Sequence, residues 1–137
     1  ETKLKYELNY RNYLFVSQGS ITIKLLPPKS NRYLNTEKDY ENFEFSSPIN
    51  IWNVQEEYKN DINKVKSLEV VVNKGQMIYI PAYWWYSIKL NKQTSICVFK
   101  YRTYMNNIAI FNHLFMSLLQ KQNIKRDIYK KKKFKNR

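Results

Sequence analysis

The chain has 137 residues, 43% of them hydrophobic and 16% aromatic, which is enough for one domain with a real core and too apolar for a disordered chain. Two glycines, Gly19 and Gly75, and one cysteine, Cys97, exclude Gly-rich phosphate loops, an internal disulfide and any CxxC site. The net charge of +13 is uneven: eight basic residues from Lys125 to Arg137 against Asp127 place +7 on residues 125–137 and leave +6 on residues 1–124. No run reaches the roughly 18 apolar residues of a membrane-spanning helix, and there is no signal-peptide pattern, so an intracellular, non-secreted protein is expected. The chain opens at Glu1 without a methionine, which reads as a processed or partial chain from which strands are missing at the N-terminus.

Leu4 to Leu14 is tyrosine-rich, with alternation at Tyr6, Leu8 and Tyr10, and predicts a strand leading into a loop. Tyr13–Val16 is a short apolar run ended by the turn signal Ser17-Gln18-Gly19-Ser20. Ile21–Leu26 follows as a second strand, ended by Pro27-Pro28 because neither proline can donate to a ladder, and the two runs predict a hairpin. Lys29 to Ser47 is polar and irregular. Ile49-Asn50-Ile51-Trp52 predicts a short strand, and Gln55 to Lys66 a loop or short surface helix. Ser67–Val72 reads as a strand that turns at Asn73-Lys74-Gly75 into Met77–Ile80. Ser87–Leu90 and Thr94–Tyr101 are two more, joined by Asn91-Lys92-Gln93. Cys97, inside an apolar run, is expected to be a buried small hydrophobe.

After Met105 the period becomes helical, with Ile108, Phe111, Phe115, Leu118 and Leu119 on one stripe and Asn106 or Asn107 as cap. Ile110, Leu114 and Met116 widen the apolar surface, so the helix needs cover on more than one side: a missing segment or another chain. His113, the only histidine, lies on it with no second ligand or nucleophile nearby and is expected to have no catalytic role. The predicted organisation is a β-barrel over 1–104, a C-terminal helix over 105–124 and a basic tail over 125–137.

One stretch carries more information than the others: Gly75 to Lys89, reading GQMIYIPAYWWYSIK. It resembles the last metal-ligand segment of JmjC and related cupin-type oxygenases, a glycine turn followed by "IP..WWH". Residues 6–28 resemble the family's earlier segment, an HxD pair followed by Asn, an apolar strand, a Gly turn and a strand ending in Pro-Pro; Asn12, Gly19, Pro27 and Pro28 occupy those places. The resemblance spans residues 4–101 and implies a mainly β fold, the double-stranded β-helix (jelly-roll barrel) of cupins.

It also implies where iron and 2-oxoglutarate would be held, and there the sequence departs. Counted from Asn12, the first histidine becomes Tyr6, the carboxylate Leu8, the second histidine Tyr86 and the co-substrate lysine Ile21. Glu7, one residue out of register, is expected to point away from the barrel interior. Two imidazoles cannot come from a chain with one histidine, so no metal or cofactor is expected. Tyr6 and Tyr86 are expected to face each other across the former cavity, with Tyr83, Trp84 and Trp85 as an aromatic plug.

The expected function is therefore a non-catalytic structural or interaction module, contacting a protein partner or a second copy through the 106–120 helix. The Lys-, Asn-, Ile- and Tyr-rich composition resembles that of AT-rich genomes, and a component of a large DNA-virus particle is one setting for such a module. Two rivals stand beside it. One is a nucleic-acid-binding protein, or one that docks on an acidic protein surface, using Lys130, Lys131, Lys132, Lys133, Lys135 and Arg137. The other is an oxygenase-family enzyme with atypical ligands.

Overall fold

The computed structural model describes residues 1–8, 11–40 and 43–121. Among these, the strands are β1 (Lys5–Tyr6), β2 (Arg11–Gln18), β3 (Ser20–Leu26), β4 (Glu37–Asp39), β5 (Glu44–Ser46), β6 (Leu68–Asn73), β7 (Met77–Ile80), β8 (Trp85–Leu90) and β9 (Ser95–Tyr101). They form two antiparallel sheets, a larger one in the order β4-β5-β1-β8-β3-β6 and a smaller one in the order β7-β2-β9. From β6 to β9, and from β1 to β3, each strand lies in the opposite sheet from the one before it. This winding between two facing sheets is the jelly roll that the sequence predicts.

The winding overturns the predicted hairpin. β2 and β3 are joined by the single residue Gly19 but never pair: β2 is bonded to β7 and β9, and β3 to β6 and β8. The corner explains the glycine. Gly19 has φ +73°, and a Cβ there would lie 2.8 Å from Thr94 Oγ1 and 2.9 Å from the Gln93 carbonyl oxygen. Gly75, at φ +83°, serves the turn between β6 and β7.

Strand alternation sorts the apolar residues into two cores, one on each face of the larger sheet. Between the sheets lie Leu14 and Val16 of β2, Ile21, Ile23 and Leu25 of β3, Ile80 of β7 and Tyr86 and Ile88 of β8. On the opposite face Tyr6, Leu26 and Trp85 pack with Leu4, Leu8, Leu34, Phe45, Ile49, Ile51 and Ile110. That second core is roofed by the segment after β3. There Pro28–Tyr33 forms a 3-10 turn and β4 and β5 extend the sheet, in a region the sequence reading takes as irregular. Three-residue strands are too short to show a period. Ile49–Trp52 is a turn and not the predicted strand: Asn50 Oδ1 accepts from the Trp52 N–H at 2.9 Å, and both isoleucines are buried. Gln55–Lys66 contains the expected short helix, α1 (Lys59–Ile62), after a 3-10 turn over Glu56–Tyr58.

After β9 the chain forms α2 (Tyr104–Ala109) and, beyond a break at Ile110, α3 (111–121). The cap is Thr103, whose side chain accepts from the Asn106 N–H at 3.2 Å, not the predicted Asn106 or Asn107. Asn106 is instead buried and donates through Nδ2 to the Leu8 carbonyl at 3.4 Å. Fully buried Ile110 anchors the break against the second core. No helix among the described residues is long and apolar enough to cross a membrane.

Candidate functional site: an ion-paired carboxylate in the barrel mouth

Register on β1 decides which side chains enter the barrel. Lys5 is the Cα partner of Tyr86, so these two side chains share a face, and Glu7, two residues on, shares it as well. Tyr86 belongs to the core between the sheets. Tyr6 and Leu8 therefore lie on the other face, in the second core. This corrects the expected placement: Tyr6 does not face Tyr86, and Glu7 is the residue that does.

The contacts bear out the register. The Tyr86 hydroxyl donates to Glu7 Oε1. Lys100 Nζ, reaching over from β9, donates to the same oxygen at 2.6 Å, and Lys5 Nζ lies 3.9 Å from it. Lys100 is the Cα partner of Asn12 on β2, so both project from the smaller sheet toward the larger one. The Asn12 side chain opposes the upward push on the Tyr86 phenol, while its Oδ1 is buried and meets no donor among the described residues. Burial opposes the charged form of Glu7. The hydrogen bonds from Lys100 and Tyr86 and the charges of Lys100 and Lys5 outweigh that, and hold its carboxyl below the ordinary carboxylate value. The Tyr86 phenol is pushed far up, first by burial and then by the Glu7 charge.

The residues that the resemblance assigns elsewhere have other environments. The Tyr6 ring stacks on Phe45 at 5.0 Å and meets Trp85 edge-on at 4.7 Å. Burial pushes its phenol up to about 12. Ile21, at the co-substrate position, is fully buried between the sheets. The aromatic plug divides: Trp84 packs against the core between the sheets, while Trp85 and Tyr83 pack in the second. His113, on α3, sits among Tyr40, Phe45 and Tyr83 on the second core's side, and burial with the Lys38 charge lowers its pKa. Cys97 is exposed and not buried, because β9 is a sheet edge and Cys97 shares the outer face with its partner Phe15.

A family model described as a cupin-like domain matches residues 1–106. The chain belongs to the cupin-like domain family. No curated protein matches the sequence.

For this cupin-like chain, the donors present do not fit the family's iron centre. That centre needs two neutral imidazoles and a carboxylate. Here the inward positions are Lys5, Glu7 and Tyr86: one ammonium, one carboxylate already bound to a second ammonium, and one phenol held in its neutral form. Among the described residues, no three of His, Cys, Asp and Glu come together.

Lys5, Asn12 and Lys100 are site residues that reading the sequence misses. A signal for the first existed. Leu4, Tyr6 and Leu8 alternate with Lys5 and Glu7, a period-two pattern that already sets the charged pair on one face. The stripe of Ile108, Phe111, Phe115, Leu118 and Leu119 is solvent-exposed, Ile108 at 67% and Phe111 at 64%. The tail residues Lys130, Lys131, Lys132, Lys133, Lys135 and Arg137 lie outside the described residues.

Proposed function

We propose that the chain is a non-catalytic cupin-like module with a structural or interaction role. The observation that carries this is the state of Glu7: the inward-facing carboxylate is engaged by Lys100 and Tyr86 instead of standing open beside two imidazoles. Anaerobic incubation with Fe(II) and 2-oxoglutarate, desalting and elemental analysis should leave iron well below one atom per chain. Stoichiometric iron overturns the reading.

The contact surface we assign is the helical one. Tyr104, Met105, Ile108, Phe111, Phe115 and Leu118 present exposed apolar side chains within one short stretch of chain. This supports a protein partner or a second copy, and family members that keep their ligands often associate through C-terminal helices. The lysine- and asparagine-rich composition is compatible with a component of a large DNA-virus particle.

A second reading is favoured by the +7 on residues 125–137. Such a segment would bind nucleic acid through phosphates, without sequence preference and with steep salt dependence. Retention on immobilised duplex DNA, compared between the intact chain and one truncated after residue 124, separates the two. Loss of salt-sensitive retention on truncation supports nucleic-acid binding, and equal retention removes it.

A further inference from the structure

We infer that the Lys100 ammonium substitutes for a metal cation beside Glu7, and that the Lys5, Glu7 and Tyr86 positions, which meet at Glu7 Oε1, are the ones that would hold that cation. The inference rests on the non-catalytic reading above, but the two can fail separately.

A carboxylate with 14% of its side chain exposed needs a counter-charge, because leaving it unpaired where little water reaches it costs more than pairing it with Lys100, whose own side chain is 36% exposed. In this chain the cation comes from the smaller sheet. Lys100 reaches from β9 across to Glu7, which also accepts from the Tyr86 hydroxyl, and Asn12, the Cα partner of Lys100, is buried on the same face. One cation, one carboxylate and one phenol thus tie β8 and the residue after β1 in one sheet to β9 of the other. Lys5 completes the set: it pairs directly with Tyr86, lies 3.9 Å from Glu7 and places its ammonium 5.9 Å from the centre of the Tyr86 ring. Lys5, Glu7 and Tyr86 share one face, so imidazoles at positions 5 and 86 would lie beside the Glu7 carboxylate and make up a two-imidazole, one-carboxylate donor set. Tyr6 and Leu8, on the opposite face, cannot take part.

Two experiments test this. In the intact chain, brief amine-reactive labelling read by mass spectrometry should modify Lys100, which is itself exposed, about tenfold more slowly than Lys74 and Lys92, as one charge-assisted hydrogen bond would produce. Glu7→Gln should abolish that protection while the far-ultraviolet circular dichroism is unchanged. Equal labelling of the three lysines, or protection that survives Glu7→Gln, overturns the inference whether or not the intact chain takes up iron. In the second experiment Lys5→His/Tyr86→His/Lys100→Ala is titrated with Co(II). About one equivalent should bind, with d–d absorption and a raised melting temperature, and restoring Lys100 should weaken binding about tenfold or more. Tyr6→His/Tyr86→His/Lys100→Ala should bind no better than the intact chain. Equal binding by the two triple variants, no binding by the first when it is folded, or indifference to Lys100 each overturns the inference. If the first variant does not fold, the labelling result decides.

Discussion

The two faces of the larger sheet solve the same burial problem in opposite ways. On the outer face Tyr6, Phe45 and Trp85 form a dry aromatic stack closed by Leu8, Ile49 and Ile110. On the inner face the apolar core of Ile21, Ile23 and Ile88 gives way, at the barrel mouth, to a carboxylate, two ammonium groups, a phenol and an amide. Both faces are supplied by the same few residues of β1, taken alternately. The comparison shows that this barrel keeps a polar centre on one face because the largely buried Glu7 carboxylate must be neutralised there.

The largest effect is expected on the dry face. Trp85 is fully buried, so Trp85→Ala should destabilise the fold by about 3–5 kcal/mol in urea denaturation. Trp84→Ala, at a half-buried residue on the other face, should cost clearly less. Equal losses would mean that the two cores are energetically one. On the polar face, Glu7→Ala leaves the buried Tyr86 hydroxyl without its acceptor and should cost about 1–3 kcal/mol. Lys100→Met should be less harmful in the Glu7→Gln background than alone, a coupling that a double-mutant cycle measures directly.

The polar face should also be the pH-sensitive one. The folded value of Glu7 lies below its ordinary 4.5. Its contribution is therefore complete above that ordinary value and is lost as the pH falls through the lower, folded value. Urea midpoints measured from neutral pH downward should fall in that acid window for the intact chain and less for Glu7→Gln. An equal fall in both would assign the acid sensitivity to other carboxylates.

Much of this contrast can be read in the sequence, and the part that cannot has identifiable causes. The Gly75 turn, the Pro81 break and the Trp84-Trp85 pair fix β7 and β8 because each is a local signal. Asn12, Gly19 and Pro27-Pro28 likewise frame β2 and β3. The β1 register is not local: it is set by the Lys5–Tyr86 pairing, between residues far apart in the chain, and counting back from Asn12 misses it by one residue. That single step exchanges the whole contents of the two faces, which is why Glu7 is misread as outward and Tyr6 as inward. Lys100 is hidden for a similar reason. In Ile96–Tyr101 it reads as a charge on an apolar strand, and only the two-sheet topology brings it to Glu7.

The smallest effect on folding, and the most informative for the proposed role, is expected outside both cores. Phe111 and Phe115 on α3 are 64% and 52% exposed, so removing their rings forfeits little packing within the chain. Phe111→Gln/Phe115→Gln should shift stability by about 0.5 kcal/mol or less, as surface changes do. If these rings make a contact between chains, the same variant should sediment as a lighter species than the intact chain at equal concentration, with its circular dichroism and melting temperature nearly unchanged. A large loss of stability in a species that sediments as before would place the rings against the domain itself. The helix would then be a third layer of the second core, and the partner surface would have to be sought on the outer face of the smaller sheet, where Met77, Phe99 and Tyr101 are also exposed.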